Sequence, residues 1–476
     1  MTVNVAMIDG STSRLDDELL EALQTQFRGS VVSPADPGYE PEPRPSWNAM
    51  HADRPGLVAR CSGTADVVDA VNFARANNLL TAVRGGGHSV AGLSSINDGM
   101  LIDLSGMRAV QVDPERRLAH VQGGAVLGDM DRETQAFGLA APSGRVSDTG
   151  VAGLTLGGGL GWLNNKYGLA CDDLVEAQVV GADGQVRTAS ADVNPDLFWA
   201  IRGGGGNFGI VTSFTFGLHP VGPIVAFVAT FYPLEDAADL LRGWRDYALA
   251  APDEVTAFAG MITFPAAPGM PEVIHDRPVI ILAGLHSGDA EEGMAAMRPL
   301  REMGTSLFDM SQPMPYTMAQ SGLDGLFPRN VLRSYWKSQY MDEFNDDAVS
   351  AVARLAQDRP APMTMVNMFH IGGAVHAVGP EETAFAERSA PFMVSVDGNW
   401  TDPAQDADNV AWVRSSWDGL RKYGNGGVYL NFGGRSDEPM REGVDTAFGR
   451  NLRRLAEIKA KYDPKNFFQI NNNIVP

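Results

Sequence analysis

Cysteine is nearly missing from this chain. Its 476 residues include only Cys61 and Cys171, too few for a disulfide framework, so isolated thiols or a reducing compartment are expected. Runs of lysine or arginine are also missing. With 37 basic against 58 acidic side chains the formal charge is -21, which disfavours binding to a phosphate backbone and argues against a nucleic-acid partner. No uninterrupted apolar run is long enough to span a bilayer. The opening MTVNVAMIDGSTSRLDDELL has neither a basic start nor a long apolar core, so no membrane partner is expected and the cytoplasm is the expected location. The patterns G-x-x-x-x-G-K-[ST], H-E-x-x-H, C-x-x-C and G-x-S-x-G are absent as well, which withdraws support from metal hydrolysis and α/β-hydrolase chemistry.

What is present is ordinary for a globular protein. Hydrophobic residues make up 44% and charged residues 20%, and the length suggests two to four lobes at about 100–200 residues each. A helix-like DDELLEALQTQF is followed by SPADPGYEPEPRPSW, whose prolines suggest an extended surface segment. LVARC, TADVVDAVNFARANN and LTAVR then read as strand, helix and strand, with Thr64 a plausible helix cap. Short strands, the helix-like VLGDMDRETQAFG and the hairpin-like AQVVGADGQVRTAS follow, an α+β pattern. Beyond Pro220 the style changes to apolar strands alternating with longer helices, such as PVIILAGLHSG before DAEEGMAAMRPLREM. A domain boundary is expected there. The end is an amphipathic helix stopped by DP and followed by an asparagine cluster, expected to be docked on the body of the protein.

Glycine supplies the most informative stretches. RGGGHS, Arg84 to Ser89, sets bare backbone between an arginine and a histidine. Adjacent glycines can turn their N–H groups toward an anion such as a pyrophosphate, while the plainer alternative is a tight turn with a surface histidine. Two further clusters, TGVAGLTLGGGLGW from Thr149 and RGGGGNFGIV from Arg202, suit a long ligand with phosphates in its middle. Gly204, Gly206 and Gly209 fit G-x-G-x-x-G, but a helix-like NPDLFWAI precedes them and a strand-like GIVTSFTF follows. That order is the reverse of a dinucleotide fingerprint, so NAD is disfavoured.

VRGGGHSVAG, TGVAGLTLGGGLGW, KYGLACDDL, GGGGNFGIVTSF, YLNFGG and KYDPKNFFQINNNIVP, in this order, resemble the berberine-bridge-enzyme-like FAD-linked oxidases, from about Pro45 to the C-terminus. The resemblance implies an α+β, two-lobed fold of the p-cresol methylhydroxylase type. An FAD domain would span residues 1–220, a substrate domain on a helix-covered antiparallel sheet 221–426, and a C-terminal segment 427–476 would return to the FAD domain. In that family the glycines pass close to FAD and the histidine bonds to the flavin 8α carbon; His88 is the matching residue. The cofactor wall implied in this way comprises Arg84, Gly85, Gly86, Gly87, His88, Ser89, Thr149, Gly150, Gly153, Gly157, Gly158, Gly161, Gly209, Val211, Asn471 and Asn473. Many members carry a second bond from a cysteine to flavin C6. Here that position is Val146, and Cys171 lies after the glycine run, so attachment through His88 alone is expected.

For catalysis, the resemblance aligns GGVYLNFGG with a Tyr-x-Asn segment on the substrate side, making Tyr429 the expected base and Asn431 its neighbour. A tyrosine's reference pKa of about 10 is too high for an efficient base near neutrality unless a cation or a hydrogen bond lowers it. Lys337, in RSYWKSQY, is the candidate, with an ordinary strand position as the alternative. His370 and His376 would share a face on a regular strand; a structural or substrate-contact role is expected rather than a metal site, since no other ligand type lies near. Carbohydrate-oxidising members often have tyrosine where this chain has Val90, which weakens sugar as substrate. The expected reaction is hydride transfer from a C–H bond bearing oxygen or nitrogen, in an alcohol, amine or phenolic small molecule, to FAD, with O2 reoxidising the flavin to give H2O2. A dehydrogenase that reacts poorly with oxygen and a flavin-retaining protein without activity remain alternatives, and the oligomeric state is open.

Overall fold

The computed structural model describes residues 3–39, 46–267, 269–433 and 440–476. Residues 40–45, the middle of the proline-rich stretch, lie outside the described residues.

Among the described residues, three large sheets carry most of the architecture. The glycine loop leaves a four-stranded sheet in which Leu57–Arg60, Met100–Asp103 and Thr81–Arg84 run parallel and Ser30–Val32 closes one edge antiparallel. A parallel neighbour requires a crossover, and Thr64–Ala76 provides it, burying Val67, Ala70, Val71 and Ala74. Its cap is Gly63 rather than Thr64, whose hydroxyl instead donates to Gln178 Oε1 at 2.8 Å. Beside this layer stands an antiparallel five-stranded sheet that includes the hairpin Leu174–Val180 and Val186–Ser190, as well as Ile210–Gly217. The N-terminal hairpin Val3–Ala6 and Thr12–Leu15 and the strand Val110–Asp113 have no counterpart in the sequence reading.

The third sheet has eight antiparallel strands, drawn from Ile224–Pro233 through Phe392–Trp400. Period-two alternation gives it two apolar faces. Val228, Ala257, Ile280, Val366, Val394 and Val396 pack under the helices Ala237–Ala250, Asp346–Gln357 and Asp406–Leu420. Phe227, Phe258, Ile281, Phe369 and Met393 point the other way, toward the glycine-rich half. The helical stretch DAEEGMAAMRPLREM breaks into Ala290–Ala296 and Arg298–Arg301 at its proline.

The C-terminal helix Leu452–Tyr462 docks on the glycine-rich half through Leu455, Ile458 and Tyr462. Its buried Lys459 donates to the carbonyls of Asn207 and Phe468, at 2.8 and 2.9 Å, and to Asp463 at 2.6 Å. Asn207 returns the contact, donating to Asn472 O and accepting from the backbone of Ile474. The asparagine tail is thereby fastened to the turn Gly205–Asn207, which lies between the helix Pro195–Ile201 and the strand Ile210–Gly217.

Candidate active site

A cavity of about 340 Å³ opens between the glycine-rich half and the inner face of the eight-stranded sheet. Gly85, Gly86, Gly87, His88 and Ser89 form part of its wall, with Thr149, Gly150, Gly153 and Gly157 beside them. Gly209, Val211 and Asn471 line it further along, and Asn472 joins them. Gly86 and Gly150 touch backbone to backbone, where a Cβ on either has no room. At Gly153 and Gly206 a Cβ would instead project into open space, so this wall is bare because side chains are lacking.

Four of the expected wall residues stand elsewhere. Arg84 turns into the sheet and pairs with buried Asp103 at 3.5 Å. Gly158, with a φ of 113°, packs against the Phe385 ring, and Gly161 against the Ser143 carbonyl. Both serve the turn's geometry rather than the cavity wall. Asn473 lies one residue past the asparagines that reach the cavity, although its Oδ1 is buried without a partner.

His88 is held between Trp47 and Asp148. Trp47 stacks on its ring with centroids 4.6 Å apart and planes 20° from parallel. The proline-rich segment thus ends in a fully buried indole, not on the surface: Trp47 N–H donates to Gly87 O at 2.7 Å and its indole to Phe327 O at 2.9 Å. On the other edge, His88 Nε2 lies 3.1 Å from Asp148 Oδ1, imperfectly aligned for a hydrogen bond. Arg329 completes the set, with Nε 3.2 Å from Asp148 Oδ2 and Nη2 donating to Gly86 O at 2.8 Å. Burial pushes the Asp148 carboxyl up, but its contacts with His88 and Arg329 outweigh that and hold it below the ordinary value.

Val146 lines the cavity, whereas Cys171 sits in the core with its thiol pushed well up, first by burial and then by Asp172.

The inner face of the sheet supplies Phe258, Trp336, Met365, Asn367, Phe369 and Asp397. Trp336, Asp397 and Met365 are direct partners across three neighbouring strands and so share one face. Lys337 is one residue out of phase. It pairs with Val396 under the helices, and its ammonium lies 4.5 Å from the Trp417 ring, on the side of the strand away from the cavity. The cation expected beside Tyr429 is therefore not Lys337.

Tyr429 and Asn431 do reach the cavity. The Tyr429 hydroxyl accepts from Gly159 N, Leu160 N and Asn431 Nδ2, at 3.2, 3.3 and 3.0 Å. Burial nevertheless raises its pKa above 10, and those donors offset only part of the rise. A neutral phenol results, a poor base near neutrality. Two side chains not anticipated from the sequence carry the charge here. Asp397, wholly buried, is pushed up to about 7 by burial, while the Ser395 hydroxyl and Asn367 Nδ2, the latter donating at 2.7 Å, pull the other way. Arg145 lies buried among Trp162, Phe258 and Phe369. His370 faces Asn165 rather than the cavity, with burial lowering its pKa to about 4.

Family models for an FAD binding domain and for berberine and berberine-like proteins match residues 55–190 and 428–475. The uncharacterized FAD-linked oxidoreductase YgaK of Bacillus subtilis is 31% identical over 462 residues, 95% of this chain and 98% of that protein. The chain belongs to the berberine-bridge-like FAD-linked oxidoreductases. (R)-6-hydroxynicotine oxidase of Paenarthrobacter nicotinovorans is 29% identical over 96% of this chain and 98% of its own length. The crystal structure of 6-hydroxy-D-nicotine oxidase from Arthrobacter nicotinovorans superposes with a TM-score of 0.82 at 27% identity, covering 94% of this chain and 98% of that one. BBE-like 1 of Physcomitrella patens, 23% identical over 96% and 99%, shares the fold with a TM-score of 0.85. The protein is thus an FAD-linked oxidoreductase with the α+β, two-lobed fold of berberine-bridge-like oxidases.

The cavity suits the cofactor that defines the family. Its glycine wall lets a bulky ligand approach backbone closely, and Asn471 Oδ1, buried on that wall without a partner, is left for a donor on the ligand. No helix among the described residues is long and apolar enough to cross a membrane.

Proposed function

We propose that this protein is an oxidase whose FAD is bonded covalently through His88 alone, and that it oxidises an alcohol, amine or phenolic small molecule, with dioxygen reduced to hydrogen peroxide. The observation that carries the reading is His88 set at the cavity wall between Trp47 and Asp148, with Arg329 in turn holding Asp148. His88 would hold the flavin through a ring nitrogen that keeps its lone pair, with the Asp148 carboxylate beside the ring to favour its protonated edge.

Bound FAD supplies the hydride acceptor and, once reduced, the electrons for dioxygen. The chain supplies the rest. Phe258, Trp336, Met365, Phe369 and Phe432 give an apolar wall that excludes water and favours a flat, apolar substrate over a sugar. Asp397, ionising near neutrality, accepts the proton released from the substrate's hydroxyl or amine. Tyr429 stays a neutral phenol, its oxygen already occupied by three N–H groups, and offers its hydrogen as a donor. Asn367 Oδ1, buried without a partner on the cavity wall, is an acceptor for the substrate's polar hydrogen. Thr149 keeps a small side chain on the wall, leaving room for oxygen. The hydroxynicotine oxidases among the relatives fit an amine substrate.

Acid-precipitated protein should stay yellow, and a peptide containing His88 should carry the mass of FAD. Enzyme reduced anaerobically and mixed with air-saturated buffer should reoxidise within seconds with release of peroxide. Reoxidation over many minutes would point to a dehydrogenase instead.

A further inference from the structure

Arg145 is a charged side chain on the cavity wall whose burial neither the fold nor the proposed chemistry explains. It is 8% exposed, and only Nη2 has a protein acceptor, the carbonyl of Gly161 at 3.2 Å. Nε and Nη1 are buried without a partner. No ion pair of Arg145 with a carboxylate occurs among the described residues. Three rings surround the guanidinium instead, Trp162, Phe369 and Phe258, with centroids 4.6, 4.8 and 5.3 Å from Cζ. Cation–π contact recovers part of the cost of taking a charge out of water, but it leaves the N–H groups unmet. Burial lowers the pKa to about 9, so the group stays a cation at neutral pH.

Buried donors are nearly always satisfied, and a buried cation with two idle N–H positions on a ligand chamber is most economically satisfied by the ligand. Phe258 and Phe369, which flank Arg145, belong to the inner face of the eight-stranded sheet, opposite the glycine wall. That position associates the charge with the substrate's end of the cavity. We infer that Arg145 forms a subsite for an anionic oxygen, so that the substrate is an apolar or aromatic molecule carrying a carboxylate or an ionised phenol. This rests on the proposed function for the identity of the chamber and narrows its substrate class to anions.

The test uses flavin-loaded enzyme and simple probes, sodium benzoate against benzamide and 4-cyanophenol against 4-cyanoanisole, read by flavin absorbance and by tryptophan fluorescence, since Trp162 touches Arg145. At least one anion should bind about tenfold or more tighter than its neutral partner, and Arg145→Met should abolish that preference while Arg145→Lys keeps part of it. The comparison within wild type needs no variant to fold. Anions and neutral partners binding alike, no perturbation by either anion up to its solubility limit, or an unchanged preference in Arg145→Met each overturns the subsite. Sulfite, which adds to oxidised flavin, separates a cofactor role: if Arg145→Met loses sulfite affinity but keeps its preference for the organic anions, the guanidinium serves the flavin and the inference fails. Flavin content and covalent yield are measured first. A chain that holds no FAD overturns the proposed function, while fluorescence still reads the subsite.

Discussion

Asp148 Oδ1 stands 3.1 Å from His88 Nε2 and is itself held by Arg329, so a carboxylate kept ionised sits against the edge of the imidazole. Covalent attachment should depend on this pair. His88→Ala is expected to release all flavin on acid denaturation. Asp148→Asn should still bind FAD but carry a smaller covalent fraction, recovering slowly when apoprotein is incubated with excess FAD. Intact-mass spectrometry over time measures both. A wild-type covalent yield in Asp148→Asn would sever the link between the two residues.

Cys171 should play no part in attachment. Its thiol is buried, pushed away from ionisation and off the cavity wall, while Val146, which does line the wall, has no nucleophile. Cys171→Ser, whose hydroxyl can keep the contact with Asp172, is expected to keep the full covalent yield. Flavin recovered on a Cys171 peptide would contradict this.

Local pattern made much of this architecture legible. The crossover from Leu57 to Arg84 and the change of style after Pro220 both follow from period and glycine placement, and the ordered glycine motifs point to the family. What stayed hidden depends on neighbours far apart in the chain. Trp47 looks like part of a proline-rich surface segment until Gly87 and Phe327 close over it. Lys337 and Trp336 are adjacent in sequence, yet only the strand's phase decides that the tryptophan faces the cavity and the lysine the helices. Asp397 and Arg145 belong to no motif. Burial alone gives those charges meaning.

Asp131 offers a test of stability against pH. It lies on the helix Leu127–Gln135, wholly buried, with Gln320 Nε2 3.2 Å away. Burial lifts its pKa to about 7, Asp324 adds to the rise and Gln320 opposes it. Between the unfolded value near 4 and about 7 the folded state binds the extra proton, so the stabilisation is complete below that window and is lost as pH rises through about 7. Asp397, raised likewise, acts with the same sign. Urea midpoints should therefore fall from about pH 4 to about pH 8 and then level off, and Asp131→Asn, which cannot ionise, should flatten part of that slope and gain on the order of 1 kcal/mol or more above the window. A midpoint that rises with pH would refute the assignment.

The proton-accepting role separates Asp397 from Tyr429. Asp397 ionises near neutrality and shares a wall with Trp336, whereas Tyr429 remains a phenol whose oxygen satisfies Gly159, Leu160 and Asn431. Asp397→Asn keeps the shape and the contact with Asn367, so flavin content should stay normal while the limiting rate of anaerobic flavin reduction falls by roughly 10²- to 10⁴-fold. Because the base must be ionised, wild-type kcat/KM should rise with pH through about 7 and then level off, and that rise should vanish in Asp397→Asn. Tyr429→Phe removes an acceptor from three N–H groups. Its expected signature is a stability loss of about 1–3 kcal/mol with a modest change in rate and the ascending pH limb intact. Stopped-flow reduction across the pH range reads all of these. If Tyr429→Phe erases the limb and Asp397→Asn retains it, the proton goes to the tyrosine after all, and the buried Arg145, whose charge acts on that phenol, becomes the cation that lowers its pKa in the loaded enzyme.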